Sequence, residues 1–551
     1  MKTKSILLVC LLICAGMSAF AQKMSSKTLS NTLDKMISAE FPAKGTGCAV
    51  LVAEKGKILY KKGFGMANLE LEVPMKPDMV FRIGSITKQF TAICILQLLE
   101  QGKLSLEDDI TKYIPDYRTD GNKITIENLL THTSGIPSYT EMDQFDTLSR
   151  TDMEPLEFIA MFKNEALNFA PNTKWEYSNS GYFILGYIIE KVSGKNYAEY
   201  VEEMIFKPLG MNNSYYGYDA KIIKNRASGY QMGEKGIENA EFLSMTLPYA
   251  AGSLVSTVED LYKWNLGVQT YKMVKKETLA KAFTDHKLIN GKSTHYGFGW
   301  GLNEMQESPT IEHDGGINGF LSSAIYLPKE EIFVSILSNS MAKSPANLAE
   351  KVAAIAIGKP YDLTEKKIEG MNLADFVGVY ENEDMGQRMI TTENGKLYSQ
   401  RKGGPKLNFS PYEKDKFFFE GGMTKLIFER EPNGKVKSVL SKHKNGNYVW
   451  QKTDKEVPTH KEIALSADVL AQYVGEYAIQ PTFLITITTE GNRVFAQATG
   501  QQRFEIFPES ETMFFVKVVD VQIEFVKGEN AQVKSLILHQ GGENMEGKKV
   551  K

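Results

Sequence analysis

The stretch Phe81–Phe90, FRIGSITKQF, sets a serine three residues before a lysine in a run otherwise fit for burial. Helix positions i and i+3 share a face, so the Ser85 hydroxyl and the Lys88 ammonium can touch. A free hydroxyl is a poor nucleophile and needs a base within hydrogen-bond reach. An apolar helix disfavours the charged ammonium and draws Lys88 towards that use. Gly84 lets the backbone approach a substrate closely. The same spacing recurs at Ser340/Lys343, Ser399/Lys402 and Ser441/Lys444. A serine helix cap followed by a lysine reaching solvent also gives this pattern, so its setting must decide.

Two later stretches supply that setting. KWEYSNSGY offers Tyr177-Ser178-Asn179, where a phenol and a carboxamide two residues apart point the same way if the segment is extended. A core tyrosine beside an asparagine helix cap is the other reading, and Tyr380/Asn382 repeats the spacing. IEHDGGINGF offers His313-Asp314-Gly315, then Gly316. Small residues there let a substrate lie along a strand edge whose amides face a developing oxyanion. A glycine-rich turn with a solvent histidine is the alternative.

Ser-x-x-Lys, Tyr-x-Asn and Lys/His-x-Gly, in this order, resemble the three-motif signature of the serine β-lactamase and penicillin-binding-protein superfamily. The chain is most similar to the class C-like branch of β-lactamases, DD-peptidases, D-aminopeptidases and esterases. LEDDITKYIPDY from Leu106, LLTHTSGIPSY from Leu129, AAGSLVSTVEDLYKW from Ala250 and YGFGWGL from Tyr296 extend the likeness over residues 30–357. The resemblance implies that Ser85 forms an acyl-enzyme while Lys88 and Tyr177 share base and acid duties. Asn179, His313 and Gly315 would bind substrate, and the amides of Ser85 and Gly316 would form the oxyanion hole. Histidine at 313 replaces the lysine of class C β-lactamases. That substitution turns the expectation towards a peptidase on D-amino-acid-containing peptides, with a β-lactamase, a small-ester esterase or a silent muropeptide sensor as alternatives. No cofactor and no metal are implied.

The implied fold is α/β, a β-lactamase-like antiparallel sheet flanked by helices and holding a helical insertion. CAVLVAEKGKILYKKGFG and FLSSAIYLPKEEIFVSILSNS read as hairpins of that sheet. Ser85 to Gln101 and SGYFILGYIIEKVSG read as buried helices.

The last third repeats itself. LADFVGVY from Leu373 and LAQYVGEY from Leu470 are offset by 470 − 373 = 97. The same offset aligns ITTENGKLYSQ with ITTEGNRVFAQ, Pro411 with Pro508, and VKSVL with VKSLI. Short alternating runs rich in Val, Ile, Phe, Tyr and Thr, broken by turns such as PNGK, predict two homologous all-β units, built as small barrels or strongly bent sheets. They resemble lipocalin-like domains, which implies small barrels. The expected boundaries are 1–21 for a signal peptide, 28–358 for the hydrolase domain, and 370–452 and 463–551 for the repeats.

A net charge of −3 over 551 residues, with no basic cluster, argues against nucleic-acid binding. The resemblance implies a small molecule or peptide as the partner. Lys2 and Lys4, the apolar run Ile6–Ala15 and Ala19-Phe20-Ala21 read as a leader cut after Ala21, hence a periplasmic or secreted protein. Acylation at Cys14 is the rival reading. No run reaches the roughly 18 apolar residues of a membrane span. Cys48 and Cys94 sit among apolar neighbours, and their pairing is open.

Overall fold

The computed structural model describes residues 25–142, 145–233, 235–444, 446–480, 483–530 and 532–551. The expected leader, with Cys10 and Cys14, lies outside them. The chain separates into a unit ending at Tyr361 and a second unit, Asp362–Lys551.

Alternation in CAVLVAE organises the first unit. Strand β1 (Cys48–Glu54) sends Ala49, Leu51 and Ala53 into one core and Cys48, Val50 and Val52 into another. A strand buried on both sides needs a sheet covered on both faces. With β2 (Lys57–Phe64), β3 (Gly301–Met305), β4 (Ser308–Ile317), β5 (Phe320–Leu327) and β6 (Ile332–Ser338) it forms an antiparallel sheet in the order β3-β4-β5-β6-β1-β2. The two predicted hairpins are β1–β2 and β5–β6.

Five helices frame this sheet: α1 (Ser26–Glu40), α2 (Thr87–Glu100), α3 (Asn179–Ser193), α4 (Val258–Gln269) and α5 (Ala346–Ala356). Leu29, Leu33 and Ile37 of α1 join Leu348 and Val352 of α5 over one face. α2 and α4 pack on the other, and α2, α3 and α4 belong to the helical insertion between β2 and β3. Helix α2 is buried from Thr87 to Leu98, and most polar groups of its side chains find partners, Gln97 Oε1 excepted. Thr91 Oγ1 donates to Ala250 O (2.7 Å), Gln97 Nε2 to Met273 O (3.3 Å), and Gln89 Oε1 accepts from Trp264 Nε1 (3.0 Å). Cys48 and Cys94 are both buried and free. Among the described residues, no helix is long and apolar enough to cross a membrane.

The second unit holds two closed eight-stranded barrels, Gly378–Lys452 and Gly475–Lys549. The 97-residue offset governs their hydrogen bonds as well as their sequence. Strand Val436–His443 corresponds to Val533–Gln540. Tyr380 Oη donates to Phe376 O at 2.7 Å, and Tyr477 Oη donates to Tyr473 O at 2.7 Å. The turn after Arg401 joins the barrels: Gly403 N donates to Asp520 Oδ2 (2.8 Å) and Lys406 N to Val518 O (2.9 Å).

Candidate active site

Ser85 lies in a 3₁₀ turn, Gly84–Ile86, that leads into α2. It does not cap that helix, whose N-cap is Ile86 without a side-chain bond. Lys88 does not reach solvent either; it is 0% exposed. Its Nζ lies 3.1 Å from Ser85 Oγ, 2.8 Å from Asn179 Oδ1 and 2.9 Å from Ala251 O. No carboxylate is among these partners, and burial alone pushes the Lys88 ammonium well below its ordinary pKa.

The turn is pressed against the sheet. Gly84 has φ +50°, and a Cβ there would stand 2.8 Å from Gly316 N. A Cβ on Gly315 would stand 2.2 Å from Ile83 O. Glycine at both positions is what lets backbone meet backbone. β3 begins at Gly301, opposite Glu312, so from His313 onward the backbone ladder of β4 runs to β5 alone. The Gly315–Gly316 edge therefore flanks Ser85.

Tyr177 and Asn179 arrive differently from the extended pair suggested by their spacing. Only Tyr177 and Ser178 precede the helix. Ser178, at φ −127° and ψ 116°, is the N-cap of α3, its Oγ accepting from Gly181 N (3.4 Å), and Asn179 is the first helical residue. The cap turns the chain so that the Asn179 carboxamide meets Lys88 while its Nδ2 donates to Thr140 Oγ1 (3.2 Å). The Tyr177 ring lies 4.8 Å from Lys88 Nζ. Its Oη is buried without a hydrogen bond. Desolvation raises the Tyr177 pKa, and the nearby Ser85 hydroxyl only partly offsets this.

His313 is nearly buried, and both of its ring nitrogens are engaged. Nδ1 lies 2.5 Å from Asp314 O and must donate, since a carbonyl only accepts. In the neutral ring Nε2 then accepts from Tyr296 Oη at 2.9 Å.

The family description Beta-lactamase matches residues 37–357, more than half of the chain. The chain belongs to the Beta-lactamase family. Residues 459–549, around the second barrel, match a domain of unknown function, DUF3471. Penicillin-binding protein 4* of Bacillus subtilis (strain 168) is 27% identical over 549 residues, 96% of this chain and 100% of that protein. The octameric penicillin-binding protein homologue from Pyrococcus abyssi is 29% identical, with a TM-score of 0.55 over 78% of this chain and 100% of that one. The D-amino acid amidase from Ochrobactrum anthropi SV3, 24% identical, shares the fold at a TM-score of 0.53 over 60% of this chain and 97% of the amidase. The protein is a serine hydrolase of the β-lactamase fold, related to penicillin-binding proteins.

This Beta-lactamase-family site also contains residues that motif spacing does not assign. His132, at φ +59°, accepts from Ser178 N through Nδ1 (3.1 Å), which leaves the neutral ring's proton on a buried, unpartnered Nε2. Its ring lies 4.2 Å from that of Tyr177 and 4.9 Å from that of Tyr296. Burial, with Lys88 and His313 nearby, holds its pKa well below the usual imidazole value. Trp175 lies 6.5 Å from Tyr177 and is 39% exposed. His132, Tyr296 and Ala251 all fall inside blocks that carry the family resemblance, but block membership marks a stretch and not the side chain that matters.

Proposed function

We propose that the protein hydrolyses amide bonds in D-amino-acid-containing peptides through an acyl-enzyme on Ser85. The observation that carries this reading is Lys88: a buried amine, with no counter-ion, hydrogen-bonded to the serine. A neutral amine has two N–H donors and one lone pair. Asn179 Oδ1 and Ala251 O can only accept, so they take both donors and the lone pair faces the Ser85 hydroxyl.

In acylation Lys88 takes the hydroxyl proton as Ser85 Oγ bonds to the substrate carbonyl carbon. The oxyanion accepts from Ser85 N and Gly316 N. The Tyr177 phenol, whose Oη has no other partner, passes a proton to the leaving nitrogen as the C–N bond breaks, and proton exchange with Lys88 resets the pair. Water then attacks the ester by the same route, releasing the acid and restoring Ser85. Asn179 and the Gly315 edge hold the substrate amide. His313 has both ring nitrogens taken up within the protein, by Asp314 O and Tyr296 Oη, which supports a peptide or small amide over a β-lactam anchored through its carboxylate. The names of the relatives, a penicillin-binding protein and a D-amino acid amidase, support D-configured substrates. The leader-like first 21 residues support action outside the cytoplasm.

Intact-mass detection of a penicillin or fluorophosphonate adduct, followed by turnover assays on D-peptides, nitrocefin and short esters, tests the proposal. An adduct that persists in Ser85→Ala overturns the nucleophile; an adduct without turnover of any substrate makes the protein a sensor.

A further inference from the structure

The second unit contains five arginines, and three of them have carboxylate partners. Arg430 meets Asp415 (2.8 Å) and Asp375 (2.9 Å), Arg493 meets Glu505 (2.7 Å), and Arg503 meets Glu490 (2.5 Å). Among the described residues, Arg388 and Arg401 have none. They stand directly opposite each other on neighbouring strands at one rim of the first barrel, a like-charge pairing that disfavours the fold.

Arg388 is 3% exposed. Its Nη1 donates to Ser399 Oγ (2.8 Å), while among the described residues the buried Nε finds no acceptor and Nη2 makes no hydrogen bond. The guanidinium carbon sits 4.4 Å from the Trp450 ring and 5.9 Å from that of Phe419. Trp450 is itself fixed by a bond from Nε1 to Ser441 Oγ (3.0 Å). The Nε–Nη2 edge left over is the side of a guanidinium that grips a carboxylate through two parallel bonds.

The second barrel acts as an internal control. At the 97-residue offset, Arg388, Ser399, Arg401, Ser441 and Trp450 become Ile485, Ala496, Ala498, Leu538 and Gly547. Ile485 faces Ala498 as Arg388 faces Arg401. The fold closes without any of these polar groups, so barrel closure does not require them. They are absent as a set.

We propose that the rim of the first barrel is a binding site for a small organic carboxylate, held bidentately by Arg388 Nε and Nη2 beside the Trp450 and Phe419 rings, with Arg401 at the entrance. Calorimetric titration of the full chain with phenylacetate, and with phenylacetamide as its neutral analogue, tests this. Saturable phenylacetate binding is expected, weakened at least about 10-fold for the amide and in Arg388→Met. Arg388→Lys, which keeps the charge without the fork, should also bind more weakly. Turnover of the best hydrolase substrate should be the same in all three proteins. Absence of saturable phenylacetate binding to the wild-type chain overturns the site, as does equal binding of the amide. Unchanged affinity in both Arg388 variants overturns it too, by moving the binding elsewhere.

Discussion

Lys88 in the hydrolase unit and Arg388 in the first barrel are both buried cations with no carboxylate beside them, yet burial does opposite things to them. An ammonium can leave its charge behind: desolvation draws the Lys88 pKa well down, and losing the proton exposes a lone pair aimed at Ser85. A guanidinium keeps its charge. Desolvation and Arg401 bring Arg388 down only to about 10, still protonated at neutral pH. The same low-dielectric setting thus favours a neutral amine, the proposed base, in one region and leaves a fixed positive charge in the other.

The largest effect should come from removing the group that Lys88 serves. Ser85→Ala should abolish covalent labelling and turnover while thermal stability changes little, because Ser85 caps no helix and gives up one hydrogen bond, typically worth about 0.5–1.5 kcal/mol. Near-normal turnover in this variant would remove the role of Lys88 along with that of Ser85.

Making the two regions alike comes next. Lys88→Arg puts a cation that cannot deprotonate where an amine is needed, and the acylation rate should fall by at least ~10²-fold. Stopped-flow acylation within a few-fold of wild type would erase the distinction between base and fixed charge.

A pH series sharpens it further. The native pKa of Lys88 is depressed, so between that value and the unfolded value of about 10.4 the unfolded chain binds more protons than the native one. Across that window wild-type stability should therefore rise with pH relative to Lys88→Met, by at most about 1.4 kcal/mol per pH unit. Below the window the two proteins should run parallel. Urea midpoints from pH 5 to 10 measure the difference, and a difference that stays flat would mean that Lys88 is not desolvated in solution. The pH–rate profile of kcat/KM should show its acid limb within the same window.

The smallest effect belongs to Arg388. Arg388→Met relieves a buried, unpaired charge but gives up stacking on Trp450. Without added carboxylate the two should leave stability within about 1 kcal/mol of wild type. A large loss in the melting temperature would instead make Arg388 part of the barrel's framework.

Ordered motifs made Ser85, Lys88, Tyr177, Asn179 and the 313–316 segment legible in the sequence, and alternation made the hairpins and barrels legible. Local conformation was harder to read. Two residues are too few for a period, so the spacing of Tyr177 and Asn179 could not distinguish a strand from a helix entry. Ser178, lying between them, was the capping signal. His132 and Tyr296 were hidden because their partners, Ser178 N and His313 Nε2, lie 46 and 17 residues away, beyond any local pattern. Nothing in the sequence around Arg388 sets it apart from the other alternating strand residues. Only the barrel's closure shows that it points inward with nothing to neutralise it.

The alternation of β1 has a consequence for how the hydrolase unit comes apart. Its odd-numbered residues belong to the core beneath the catalytic helices, and its even-numbered residues to the core under α1 and α5. A single ribbon cannot leave one core and stay in the other, so the two cores form one cooperative block. Hydrogen exchange should find the β1 amides opening only with global unfolding, with no intermediate that keeps half of the sheet. Ser85, held to this sheet through Gly84 and Gly316, inherits that all-or-none behaviour: the proposed nucleophile and the proposed oxyanion donors are positioned together or not at all.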